Sequence, residues 1–158
     1  IKGLIIDLRD NPGGLLQVVT KMADTLLPEG MIVYTEDRAG KQEVINSDAK
    51  MLGLPLVVLV NGNSASASEI LAGAIQDYGV GRIVGTKTFG KGIVQSVKFF
   101  KDGSGLKITT SRYFTPKGRS IHEVGIHPDV VIDLPEDLKK DPTKITEDND
   151  VQLKKAVL

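Results

Sequence analysis

An α/β fold is predicted for this chain, and three features of its sequence carry that prediction. Two short apolar runs, Gly3–Leu8 and Leu56–Val60, each lead through turn-forming residues into apolar positions at helical spacing. Parallel strands joined by helical crossovers produce that alternation. Further along, two strand-like stretches flank Asp102–Gly105 (DGSG), a hairpin signal, so an antiparallel extension follows the crossovers. At 158 residues the chain suffices for one domain with a real core. The expected architecture is a mixed sheet with helices and late hairpins.

The elements follow in order. Gly3–Leu8 (GLIIDL) is a strand with apolar residues on both faces, expected inside the sheet. Asp10–Gly14 (DNPGG) is a turn signal. Leu15, Val18, Val19, Met22, Leu26 and Leu27 then recur at helical spacing until Pro28 and Gly30 end the helix. Met31–Glu36 and Gln42–Asn46 form a strand pair around a solvated Arg38–Lys41 turn. Leu56–Val60 reads as a strand buried on both faces, and Asn61, Gly62 and Asn63 as a turn. Small residues from Ser64 to Ser68 open a helix whose apolar positions are Ile70, Leu71, Ala74, Ile75 and Tyr78, with Gly79 as its stop. Arg82–Thr86 is a short strand, Ser96–Phe100 and Leu106–Phe114 are the hairpin strands, and Val130–Leu134 is an edge strand. The domain reading is residues 1–134 as the core and residues 135–158 as a polar wrapping tail. That tail ends in a short helix, Val151–Leu158, with Leu153, Val157 and Leu158 inward.

Composition narrows the function classes. Twenty Lys and Arg balance twenty Asp and Glu, so nothing points to nucleic acid or an anionic membrane as partner. No apolar run reaches membrane-spanning length. The chain has no Cys and two His, neither near a carboxylate cluster, so a structural zinc site or a Cys nucleophile is untenable. No metal and no cofactor is expected. The chain begins on a strand pattern without an initiating Met, and is therefore expected to be a fragment.

Serines at the start of a buried helix are candidates for chemistry, because the helix N-terminus aims backbone N–H groups at developing negative charge. Ser64, Ser66 and Ser68 compete for that role, and the pattern alone does not choose among them. Thr88–Gln95 (TFGKGIVQ) places a lysine between two glycines, where it has no obvious packing role. His122 and His127 fall in a loop, so a Ser-His-Asp triad is rejected.

Five motifs in this order resemble those of the carboxy-terminal processing peptidases, or tail-specific proteases: DLRDNPGG (Asp7–Gly14), NGNSASASEI (Asn61–Ile70), QDYG (Gln76–Gly79), GTKTFGKGIVQ (Gly85–Gln95) and GRSIHEVGIHPD (Gly118–Asp129). Each motif alone is weak, but together they span nearly the whole chain. The resemblance implies the β-β-α superhelix of the Clp protease and crotonase type. It implies Ser66 as nucleophile, Lys91 as general base and Gln95 as the residue that positions the lysine. It further implies backbone oxyanion donors at Gly13, Gly14 and Ala67, with Asp77 as a supporting acidic residue. The activity implied is a serine endopeptidase that cleaves protein substrates near their C-termini through an acyl-enzyme. The implied location is extracytoplasmic: periplasm, cell envelope or secreted, or the thylakoid lumen for a plastid protein. Members of the family carry a peptide-binding PDZ domain, which this stretch lacks. Apolar surface or a strand edge left uncovered without that amino-terminal part leads to an expectation of self-association.

A lysine serves as a base only when neutral. An ordinary lysine has a pKa near ~10.4, so holding one neutral at pH 7 costs about 4–5 kcal/mol. Burial beside Phe89 and Ile93 is the expected means of favouring the neutral form at Lys91. Gln95 adds a geometric condition. Positions four apart lie about 13 Å apart in an extended strand but about 6 Å apart in a helical turn, so an orienting Gln95 requires Lys91–Gln95 to turn. Two alternatives stand beside the peptidase reading: a non-catalytic ligand- or peptide-binding module of the same fold, and a fragment inactive through truncation.

Overall fold

A computed structural model describes residues 1–157. Its strands divide into two four-stranded sheets. The first is parallel, in the order β1 (Leu4–Asp7), β4 (Leu56–Val60), β5 (Arg82–Gly85) and β8 (Val130–Val131). The second is antiparallel, in the order β3 (Gln42–Ser47), β2 (Gly30–Asp37), β7 (Gly105–Phe114) and β6 (Ile93–Phe99). The helices are α1 (Leu16–Leu26), α2 (Ala67–Tyr78), α3 (Glu136–Lys140) and α4 (Val151–Val157), with a 3-10 turn at Pro142–Lys144. The parallel crossovers and the antiparallel extension both match the alternation in the sequence. No helix among the described residues is long and apolar enough to cross a membrane.

The core forms where α2 meets the parallel sheet. Ile70, Leu71, Ala74 and Ile75 recur at helical spacing and are buried, as are Val58, Leu59 and Val60 of β4. Helix α1 contributes Val19 and Ala23 and packs on α2. Gly79 takes left-handed backbone (φ 68°) and its N–H donates to the Gln76 carbonyl, which closes α2.

Three expectations require correction. Strand β1 does not lie inside the sheet. It pairs only with β4, Leu4–Ile6 are half-buried, and Asp7 is exposed, so its second edge is unpaired among the described residues. Its two-sided apolar pattern reported side-chain packing, not strand neighbours. In α1, Leu15 beside its start and Val18 and Met22 within it are exposed instead of buried. In α4 the inward side chain is Gln152, which is buried, whereas Val157 faces solvent. Leu158 lies outside the described residues. The tail also holds α3 and the 3-10 turn, where the sequence suggested only loop or wrapping chain.

Candidate active site

Strands β1 and β4 run parallel, so their carboxy ends bring Asp10–Gly14 beside Asn61–Ser66. Several bonds tie the two loops. The Leu8 N–H donates to the Leu59 carbonyl at 2.9 Å, and the Ala65 N–H to the Asn11 carbonyl at 3.0 Å. The Asp10 N–H donates to Asn61 Oδ1 at 3.0 Å, and Asp10 Oδ1 accepts from the side-chain amides of Asn61 and Asn63.

The three serines have different surroundings. Ser64 is fully buried; its hydroxyl donates to the Leu8 carbonyl at 2.6 Å and accepts the Asn61 N–H at 2.9 Å. The buried Ser68 hydroxyl donates to the Asn11 carbonyl at 3.1 Å. The Ser66 hydroxyl proton has no acceptor among the described residues. Ser66 sits immediately before α2 with φ 58° and ψ −115°. A non-glycine residue at positive φ is held there only by its surroundings.

Gly13 lies against this residue. A Cβ on Gly13 would stand 2.9 Å from Ser66 Cβ and 2.9 Å from the Ala67 nitrogen, and its φ is +103°. Only glycine permits both the approach and the backbone angle. The Gly13 N–H is committed to Asn11 Oδ1 at 2.9 Å. The N–H groups of Gly14 and Ala67 have no acceptor among the described residues. Beside them opens an apolar pocket of about 160 Å³, lined in part by Leu15, Val18, Met22 and Leu71. It accounts for the exposed apolar positions at α1.

Glu69, which the motif reading passed over, joins the two halves of the site. It is 0% exposed and accepts four hydrogen bonds. Oε2 takes the Ser66 N–H at 2.9 Å and the Lys91 N–H at 2.8 Å. Oε1 takes the Thr88 hydroxyl at 2.5 Å and the Gly90 N–H at 2.7 Å. A buried carboxylate is tolerated because every one of these donors solvates it. A sequence signal existed: Ser66 and Glu69 have the S-x-x-E spacing that opens many helices.

The Lys91 loop is braced from its other side. The Ile126 N–H donates to Thr88 Oγ1 at 2.7 Å, and the Glu123 N–H to the Gly90 carbonyl at 2.9 Å. At Gly92 an added Cβ would meet the His122 nitrogen at 2.2 Å, so the Gly118–Asp129 motif packs its backbone directly on this loop. The Lys91 side chain is exposed, and so is Phe89. The burial expected for the lysine is therefore absent in this conformation, because the loop turns its backbone, not its side chains, toward the core. No hydrogen bond joins the Lys91 amine to Ser66 or Gln95 among the described residues. Gln95 stands within β6, which is extended from Ile93 onward, so Lys91–Gln95 does not form the helical turn expected for an orienting Gln95; its amide, next to a register shift at Val94/Gln95, lies 3.5 Å from Thr109 Oγ1 instead.

Asp77 is elsewhere. It follows Ser66 by eleven residues, about 16 Å along a helix axis. Its buried carboxylate accepts the Lys117 N–H at 2.8 Å and pairs with the Arg119 guanidinium. It anchors the loop that leads into Gly118–Asp129.

The chain is similar to known proteins over most of its length. The profile of Peptidase family S41 matches residues 1–132. A carboxyl-terminal-processing protease of Synechocystis sp. is 51% identical over 134 residues, covering 84% of this chain and 31% of that protein. A carboxy-terminal-processing protease of Bartonella bacilliformis is 46% identical over 139 residues, covering 85% of this chain and 32% of that protein. The chain thus spans about a third of the length of the curated relatives it matches. Among solved structures, a photosystem II D1 C-terminal processing protease superposes with a TM-score of 0.80 at 43% identity, over 88% of this chain and 37% of that one.

Proposed function

The chain belongs to peptidase family S41, and from that premise we propose that it carries the catalytic core of a serine endopeptidase with Ser66 as nucleophile and Lys91 as general base. The observation that carries this reading is the shared carboxylate oxygen of Glu69. It holds the Ser66 and Lys91 backbones within two hydrogen-bond lengths of each other. The Ser66 hydroxyl proton, which has no acceptor among the described residues, and the committed hydroxyl protons of Ser64 and Ser68 support the same choice.

In the proposed reaction the neutral Lys91 amine takes the Ser66 proton as Oγ attacks a peptide carbonyl. The N–H groups of Gly14 and Ala67 receive the oxyanion, with Gly13 supplying the close approach. The lysine ammonium then protonates the leaving amine, and water hydrolyses the acyl-enzyme. Gln95 takes no part in the proposed reaction, because β6 is already extended from Ile93 and the turn that an orienting Gln95 requires does not form. Asp77 supports the reaction only by anchoring its loop. The pocket beside Gly14 suits an apolar side chain of moderate size next to the scissile bond. The names of the relatives extend the proposal to protein substrates cut near their C-termini. An extracytoplasmic location and a PDZ domain in the longer protein belong to the same proposal, on the strength of the resemblance.

The exposed Lys91 side chain favours a second reading of this conformation, a resting site whose lysine is not yet engaged. Peptide hydrolysis by the chain and by a form extended at its amino end distinguishes the two. Activity in the extended form alone assigns the chain to the resting state. In either active form Ser66→Ala and Lys91→Arg abolish turnover, and parent-level turnover in either variant contradicts the proposal.

A further inference from the structure

Arg9 ends the motif that leads into Asp10–Gly14, and its guanidinium is enclosed on three sides. Nε and Nη2 bind both carboxylate oxygens of Asp7. Nη1 reaches Asp150 Oδ2 at 2.8 Å and Gln152 Oε1 at 3.0 Å. Asp150 is 2% exposed and Gln152 1%. Burial acts to lower the Arg9 pKa, and the bonds to Asp7 and Asp150 outweigh it and hold it raised. Asp150 also fixes its own helix, since Oδ1 accepts the N–H groups of Gln152 and Leu153. Gln152 Nε2 donates to the Ile132 carbonyl at 2.8 Å, just past β8.

This arrangement links the tail to the site. The family profile ends at residue 132, so Asp150 and Gln152 lie beyond it. The next residue after Arg9, Asp10, has φ +57°, a strained value for a non-glycine residue. Asn61 and Asn63 restrain Asp10 through its side chain and N–H, and Arg9 restrains it from the chain before. If Asp150 loses its charge, the guanidinium keeps Asp7 and Gln152 but loses the buried carboxylate that faces Nη1, and its position is held less tightly. The backbone that Arg9 anchors then relaxes, and Gly14 moves with it.

We propose that Asp150 is a positioning residue: through Arg9 it sets the backbone of Asp10–Gly14, so the tail is a working part of the site. The proposal rests on the reading of Gly14 as an oxyanion donor. A positioning residue of this kind acts on the transition state and leaves substrate binding nearly unchanged.

The test combines kinetics with amide hydrogen exchange, on an active form of the protein that contains the full chain. Asp150→Asn keeps an oxygen to cap α4 but removes the charge, and Arg9→Met removes the other partner. Each is expected to lower kcat about tenfold with KM within about twofold. Because both act through one contact, the double variant is expected to be no slower than the worse single one. Asp150→Glu, which keeps the charge, recovers most of the rate. Exchange at Asp10–Gly14 is expected to rise while α2 stays protected. Unchanged kcat, additive losses, or an equal loss of protection in α2 and β5 overturns the proposal. If the parent neither hydrolyses peptides nor is labelled at a serine, the peptidase reading fails separately. Exchange then decides the Asp150 latch alone: a rise confined to Asp10–Gly14 supports it, and no rise overturns it.

Discussion

At the scale of the residue, the site depends on which polar groups are already satisfied. Ser64 spends its hydroxyl on Leu8 and Asn61, so Ser64→Ala leaves the part-buried Asn61 N–H without a partner and the Leu8 carbonyl with the Asn11 N–H alone. The expected cost is about 1–3 kcal/mol in urea unfolding, with substantial activity retained below the transition. Glu69→Gln puts an amide NH₂ among four donors, where at least one bond turns repulsive. Stability is expected to fall by about 1–3 kcal/mol, and turnover by more than tenfold, because the Ser66 and Lys91 backbones separate. Full activity in Glu69→Gln would show that the two loops are held in register by other bonds.

At the scale of the element, patterns that repeat within a segment were legible in the sequence, and relations between segments were not. Helix α2 was readable because Ile70, Leu71, Ala74 and Ile75 keep helical spacing and Gly79 ends it. Strand β4 was readable as a continuous apolar run. The exposed Leu15, Val18 and Met22 looked like core positions, because spacing cannot separate a face turned to a core from one turned to a pocket. Gln152 was unreadable as an inward residue, since its partners Arg9 and Ile132 are distant in the chain. Motif resemblance named Ser66 and Lys91, but only the folded structure shows that Glu69 joins them. Asp77 belongs to this scale as well. It ties α2 to the loop at Lys117 and Arg119. Asp77→Ala is therefore expected to lower stability by about 1–3 kcal/mol and to loosen Thr115–Ser120 in hydrogen exchange. Activity lost in proportion to unfolding fits an anchor, whereas activity lost in a fully folded variant would make Asp77 a participant in the chemistry.

At the scale of the whole molecule, the parallel sheet leads into the Ser66 end of the site, while the antiparallel sheet packs on the core through Ile32, Val33 and Tyr113 and leaves apolar residues of β6 and β7 uncovered. Phe99 is 77% exposed and Val97 53%, both on β6, which is an edge strand. Exposed apolar residues on an unpaired edge favour pairing with another chain. Self-association at micromolar concentration is accordingly expected in sedimentation, and Val97→Lys combined with Phe99→Lys is expected to shift the chain toward monomer. The central claim, however, concerns Ser66 and Lys91, and covalent labelling addresses it most directly. A fluorophosphonate marks an activated serine, and peptide mapping by mass spectrometry identifies which one reacted. In an active form of the protein, the account predicts one adduct, on Ser66, absent in Ser66→Ala and slowed by about a thousandfold or more in Lys91→Ala. An adduct on Ser64 or Ser68, or an unchanged labelling rate in Lys91→Ala, would contradict it.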